Sequence, residues 1–258
     1  MDYQTLEVTY DDGAAIVLLN RPELRNALNT QMRAELLHAV KFAEAEARVL
    51  VITGAGEAFC SGQDLSDHGT AANIDIERTL RDEYMPLMRA IYEAHIPVMA
   101  AVNGTAAGAG ASLALAADVV VATESAVFVQ AFSRIGLIPD AGGSYWLPRQ
   151  MGFAKAMGAS LFAEPISARQ ADEWGMIWEA VPDAAFEDHW RRRMAQLAQG
   201  PTMTYSLAKK AIREGLDNAL EDQVGLEARL QGKCGTTRDF REGLLAFVEK
   251  RPANFEGR

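Results

Sequence analysis

The stretch IPVMAAVNGTAAGAGASLALAADVVVATES, residues 96–125, decides how the chain is read. Residues 96–117 carry no charge and are long enough to cross a bilayer. Their content argues against a span: Pro97, Asn103, Gly104, Gly108 and Gly110 break a helix, and the alanines keep hydropathy low. The same residues make sense as tightly packed core. PVMAAVNG (97–104) is an apolar run ending in turn residues, a helix starts near Ala109, and DVVVATES (118–125) is a second buried run. Strand, glycine-crowded bend, helix and strand in succession make an α/β unit.

Outward from this unit the pattern repeats. AAIVLLN (14–20) and VLVITG (49–54) are buried strands of the same kind, and between them Met32, Leu36, Val40 and Ala43 share one helical face behind the N-cap Asn29. After about residue 185 the segments become helical and charged. In the last of them, TTRDFREGLLAFVEKR, Thr236 and Asp239 have capping-box spacing, and Phe240, Leu244 and Phe247 form one stripe. An α/β core over 1–195 and a helical region over 196–258 are expected. No Gly/Ser-rich or Pro-rich linker separates them, so the tail packs on its own core or on another subunit.

Bulk properties narrow the function. With 258 residues and 49% hydrophobic content, the chain can bury a core without disulfide or metal. A net charge of −10 disfavours nucleic acid and anionic membrane surfaces as partners. The basic cluster WRRRM (190–194) reads as a solvated helix face. Two cysteines, Cys60 and Cys234, are too few for a disulfide framework or zinc cluster, and the start MDYQTLEVTY is unlike a targeting peptide, so a cytoplasmic location is expected. His38, His68, His95 and His189 lack ligand spacing, and no metal site is expected.

Three chemistries compete. Ser112, Asp140 and His189 occur in α/β-hydrolase order, but Leu113 and Ala114 stand where a nucleophile elbow needs glycine. Tyr205 and Lys209 follow the strand-linked VITGAG as in a short-chain dehydrogenase, but GAGEAFCSG lacks the third glycine of a dinucleotide loop. The pair is more simply two exposed positions one helical turn apart. The third reading starts from TGAGEAFCSGQDL (53–65) and NGTAAGAGASLAL (103–115), which both follow strands and expose backbone amides. Two such loops can bracket one carbonyl oxygen, although ordinary tight turns also explain the glycines. Asp140, in GLIPDAGGS (136–144), lies near Phe132, Ile138, Tyr145 and Trp146 in sequence. Burial there raises a carboxyl pKa and fits it to move protons, while capping of the Gly-Gly turn is the plainer alternative.

LNRPELRNALN (19–29), GEAFCSGQDL (56–65), VNGTAAGAGASLALAAD (102–118) and RDFREGLLAFVEKRPANF (238–255) resemble the crotonase, or enoyl-CoA hydratase/isomerase, superfamily, collinearly along the chain. The resemblance implies an α/β fold, a spiral of ββα repeats with a C-terminal helical trimerisation region. It also implies acyl-CoA thioester substrates, no cofactor beyond the substrate's own coenzyme A, and a homotrimer or hexamer. By the same resemblance the amides of Ser61 and Ala109 form the oxyanion hole. Arg25, Ala27, Gly62, Gln63, Asp64 and Leu65 line the CoA arm, and Phe247 and Lys250 reach the nucleotide from a neighbouring subunit. The positions of the two glutamates of family hydratases hold Ser112 and Phe132, which disfavours simple hydration. VFVQAFSRIGLIPDAGGSYWLPR (127–149) and DEWGMIWEAV (172–181) are most similar to the branch that isomerises ring-1,2-epoxyphenylacetyl-CoA in phenylacetate degradation, implying Asp140 as the catalytic group. Δ3,Δ2-enoyl-CoA isomerase, a hydratase-like enzyme and a non-catalytic acyl-CoA-binding protein are the alternatives.

Overall fold

A computed structural model describes residues 2–67 and 75–258; His68 lies outside the described residues. Its strands are β1 (Leu6–Asp11), β2 (Ala14–Leu19), β3 (Val49–Gly54), β4 (Ala58–Cys60), β5 (Val98–Val102), β6 (Thr105–Ala107), β7 (Val119–Thr123), β8 (Val127–Val129), β9 (Ile166–Ser167) and β10 (Glu179–Val181). The helices are α1 (Thr30–Glu46), α2 (Ile76–Thr79), α3 (Met85–Glu93), α4 (Ala109–Leu115), α5 (Gly143–Phe162), α6 (Ala168–Glu173), α7 (Phe186–Ala198), α8 (Thr202–Glu214), α9 (Leu220–Cys234) and α10 (Arg238–Glu249). A π-helical stretch, Leu80–Tyr84, joins α2 to α3.

Successive strand pairs, β3 with β4, β5 with β6 and β7 with β8, each send one strand to a sheet ordered β1-β2-β3-β5-β7-β10 and the other to a sheet ordered β4-β6-β8-β9. Each pair is followed by helix, so the chain winds as a spiral of ββα turns. In the larger sheet every pairing but β1 with β2 is parallel. Parallel strands are covered on both faces, which is why Val49, Leu50, Val51 and Ile52 are all buried instead of alternating. One face packs on Met32, Leu36 and Val40 of α1, and the other on Trp190 and Met194 of α7. Each fully buried side chain of this size contributes about 1.5–3 kcal/mol. In the smaller sheet Cys60 sits beside Ala106 and Ala106 beside Phe128. The bends after β4 and β6 therefore emerge at the same edge, which positions the site.

The Asn29 cap of α1 forms, its Oδ1 accepting the Met32 amide at 2.8 Å. The cap expected at Thr236 does not form. Thr237 accepts the Phe240 amide at 3.0 Å instead, and the Asp239 carboxylate takes the amides of Glu256 and Gly257, binding the C-terminal segment back onto α10. Helix α7 runs through residues 195 and 196, where the sequence reading divides core from tail. Lys209 is not the exposed residue expected from sequence. Its Nζ donates to the carbonyls of Ala94 and Ile96 and pairs with Asp118 at 2.7 Å, fastening α8 to the core. In the basic cluster, Arg191 pairs with Glu187 and Arg193 with Glu179 at the surface, while Trp190 and Met194 are buried. Among the described residues no helix is long and apolar enough to cross a membrane, and no three His, Cys, Asp or Glu side chains gather as a metal site.

Candidate active site

The bends after β4 and β6 meet. A Cβ added to Gly62 (φ +94°) would lie 2.7 Å from the Ala107 carbonyl oxygen and 3.3 Å from the Ala109 nitrogen, and one added to Gly110 would overlap the Cys60 carbonyl. Only glycine permits this approach. Peptide planes then decide which amides are free. The Gly62 carbonyl accepts the Leu28 amide at 2.8 Å, so the N–H on the opposite edge of that trans peptide, Gln63's, points away from Leu28. Across the gap, the Gly108 carbonyl accepts the Ser112 amide at 3.1 Å in the first turn of α4, so the Ala109 N–H points back out of the helix. Among the described residues neither amide has a protein acceptor, and both residues line one cavity of about 300 Å³.

This corrects the sequence expectation at Ser61. Its amide is already committed to the Arg25 carbonyl at 2.9 Å, and its hydroxyl donates to Leu24. Gln63, expected as a CoA contact, supplies the free amide instead. Ala109 stands where the sequence places it. Gly62 and Leu65 line the cavity as expected, whereas Asp64 turns away. Its carboxylate accepts from the Ser66 amide and hydroxyl and pairs with Arg21 at 2.9 Å, interactions that hold its pKa below the usual carboxylate range against burial. Arg25 is exposed, Ala27 is buried, and neither lines the cavity; nor do Phe247, 82% exposed, and Lys250 at the end of α10.

Asp140 faces the same cavity from the turn before α5. Its main-chain carbonyl closes that turn, accepting from the Gly143 amide at 2.7 Å and the Ser112 hydroxyl at 2.9 Å. The carboxyl group takes no part: α5 has no side-chain cap, and Asp140 Oδ1 is buried without a hydrogen-bond partner among the described residues. The capping alternative therefore fails. Burial pushes the Asp140 pKa up to about 6. Phe132, Leu80, Ile135 and Leu137 give the cavity an apolar wall, and Asp140 is its one carboxylate among the described residues. Ser112 is fully buried and occupied by the Asp140 carbonyl; His189 pairs with Glu179 at 2.7 Å, so no serine triad forms. Burial pushes the Cys60 thiol up to about 12, which removes it as a nucleophile.

The sequence reading missed Tyr84, Thr79 and Leu80, which bring α2 and the π-helical stretch into the cavity wall. It also missed Arg33. One signal was present: Arg33 stands between Met32 and Leu36, a charge against the apolar face of α1.

Two amides without a protein acceptor and a desolvated carboxyl group line one mainly apolar pocket, an arrangement with the donors to hold a developing oxyanion and a group that can exchange a proton on a neighbouring atom. The model of the family described as Enoyl-CoA hydratase/isomerase matches residues 9–258, and the chain belongs to that family, whose members act on acyl-CoA. It is 58% identical to a probable enoyl-CoA hydratase of Rhodobacter capsulatus over the whole of both chains. It is 44% identical to the 1,2-epoxyphenylacetyl-CoA isomerase of Escherichia coli, over 96% of this chain and 97% of that one. Among solved structures, a putative enoyl-CoA hydratase/isomerase from Mycobacterium abscessus superposes with a TM-score of 0.93 at 36% identity, covering 98% of this chain and all of that one.

Proposed function

We propose that this protein is an acyl-CoA isomerase in which Asp140 is the single acid/base group and the Gln63 and Ala109 amides hold the thioester oxygen. The observation that carries the reading is the Asp140 carboxyl, alone and unpartnered among the described residues, in the cavity that those amides line. The Asp140 carboxylate takes a proton from the carbon next to the thioester, and the electron pair moves onto the thioester oxygen as an enolate. Charge returning along the substrate opens an epoxide-bearing ring towards an oxepin, or shifts a double bond, and Asp140 gives the same proton to a more distant carbon. Substrate and product are isomers, so one carboxylate suffices. Each oxyanion amide is worth about 2.7–4 kcal/mol of transition-state stabilisation.

1,2-Epoxyphenylacetyl-CoA is the preferred substrate on this reading, supported by the isomerase relative and by the aromatic and apolar wall. The hydratase name of the Rhodobacter relative favours a second reading, water addition to an enoyl-CoA. The absence of a second carboxylate among the described lining residues weighs against it. The exposed apolar residues Phe153 and Phe162 on α5 and Phe240, Leu244 and Phe247 on α10 support self-association, in keeping with the trimer or hexamer and the cross-subunit roles of Phe247 and Lys250 that the family resemblance implies. The free cysteines fit a reducing cytoplasm. Incubation with 1,2-epoxyphenylacetyl-CoA, 3-enoyl-CoA and crotonyl-CoA, followed by mass spectrometry, tests the reading. A new, chromatographically separate product of unchanged mass from the first supports it; recovery of only the starting thioester, or a gain of one water from crotonyl-CoA as the main activity, overturns it.

A further inference from the structure

Arg33 is 1% exposed, yet it carries a charge in the interior. Its guanidinium donates through Nη1 to the Leu28 carbonyl at 2.6 Å and to Gln63 Oε1 at 2.9 Å, through Nη2 to Thr30 Oγ1 at 3.0 Å, and through Nε and Nη2 to Glu83 Oε2 at 2.9 and 2.6 Å. Tyr84 adds a second donor to the same Gln63 oxygen, its hydroxyl lying 2.6 Å away. The Gln63 side chain is therefore gripped from two elements, α1 and the π-helical stretch. An ion pair such as Arg33 with the partly exposed Glu83 is weak evidence of stabilisation, because the cost of desolvating the buried guanidinium offsets the attraction. The network calls for another purpose, and what it converges on is the residue that carries the free amide.

We propose that Arg33 and Tyr84 are positioning residues: by clamping the Gln63 carboxamide they fix the peptide that presents the Gln63 N–H to the thioester oxygen. Leu28 holds that peptide from its carbonyl edge, but its other neighbour is Gly62, whose backbone resists rotation least. Holding the side chain of residue 63 removes the remaining freedom. Arg33 also joins three segments, since Leu28 and Thr30 flank the start of α1, Gln63 follows β4, and Glu83 lies beside Tyr84 on the cavity wall. An acyl group seated against Tyr84 thus bears on the same unit that aims the amide. Lysine cannot replace Arg33, because one ammonium lacks the planar fork that reaches Leu28, Glu83 and Gln63 together.

This inference rests on the oxyanion reading of the proposed function, and one experiment separates the two. The carbonyl stretch of phenylacetyl-CoA, 13C-labelled at the thioester carbon, is recorded by difference infrared spectroscopy on the wild type, Tyr84→Phe, Gln63→Met and Arg33→Lys, with kcat, KM and Tm measured alongside. A shift to lower wavenumber is expected in the wild type. Each variant is expected to show a smaller shift and a kcat reduced by up to about 100-fold, with KM little changed. No shift in the wild type overturns the oxyanion reading itself. A wild-type shift preserved in Tyr84→Phe and Gln63→Met, whether or not Tm falls, overturns the clamp and leaves the network a structural one.

Discussion

The two sides of the cavity treat charge in opposite ways. On the side of Gln63 and Ala109, backbone geometry fixes two donors before any substrate arrives, and the surrounding polar groups are bonded elsewhere: Ser61 to Arg25, Asp64 to Arg21, Gly62 to Leu28. On the Asp140 side, a carboxyl group is left without a partner among the described residues, beside Phe132 and Leu137. The first side is ready to receive negative charge; the second makes negative charge uncomfortable enough to be exchanged for a proton. An enolate needs both, because the proton must leave one atom while charge collects on another.

The comparison breaks most severely at Asp140. Asp140→Asn keeps the size of the side chain and removes the base, so turnover should fall by about 10²–10⁴-fold, while acyl-CoA affinity by isothermal titration stays within a few-fold. Equal loss of binding and of Tm would mean that the residue holds the turn after all. On the opposite side, Gly62→Ala forces a Cβ to 2.7 Å from the Ala107 carbonyl at a φ of +94°. It should spread the two amides and lower kcat by about 10²–10³-fold, with circular dichroism reporting a retained fold.

The difference sharpens with pH. The Asp140 pKa is about 6 in the folded chain against 3.8 for the free group, so the proton is held more tightly when folded. The stabilising effect of that tighter hold is fully present below about pH 3.8 and is lost as pH rises through 6. Asp140→Asn should therefore be more stable than the wild type at pH 8 by up to about 3 kcal/mol, a difference that closes as pH falls below 3.8, by urea unfolding. Wild-type kcat/KM should rise through a midpoint near 6 as the base ionises. The smallest effect is expected from Phe132→Glu, which adds a second carboxylate to the wall. A slow loss of crotonyl-CoA absorbance, absent in the wild type, would show that one side chain separates the two chemistries.

Much of this was legible in the sequence. The continuous apolar runs at 49–54 and 97–104 announced strands covered on both faces, and Val49–Gly54 and Val98–Val102 are such strands. The desolvation of Asp140 was legible because its sequence neighbours Phe132, Ile138, Tyr145 and Trp146 are apolar or aromatic. The Ser61 amide was misread because both Ser61 and Gln63 lie in the same glycine-rich bend, and the direction of each N–H depends on which distant carbonyl or amide meets its peptide. Arg25 and Leu28 decide that, from the loop before α1. The cap at Thr237 was displaced by one residue for a similar reason: Asp239 had partners at Glu256 and Gly257. Tyr84 and Arg33 carry no local motif; only the packing of α1 against the stretch leading into α3 brings them to Gln63.

The central claim is that Asp140 moves a proton on the carbon next to a thioester polarised by the two amides, and hydrogen exchange into phenylacetyl-CoA in D2O, followed by mass spectrometry, tests it most directly. Deuterium should enter that carbon with the wild type and fail to enter with Asp140→Asn at saturating ligand. Exchange that proceeds at the wild-type rate without the Asp140 carboxylate would contradict the account.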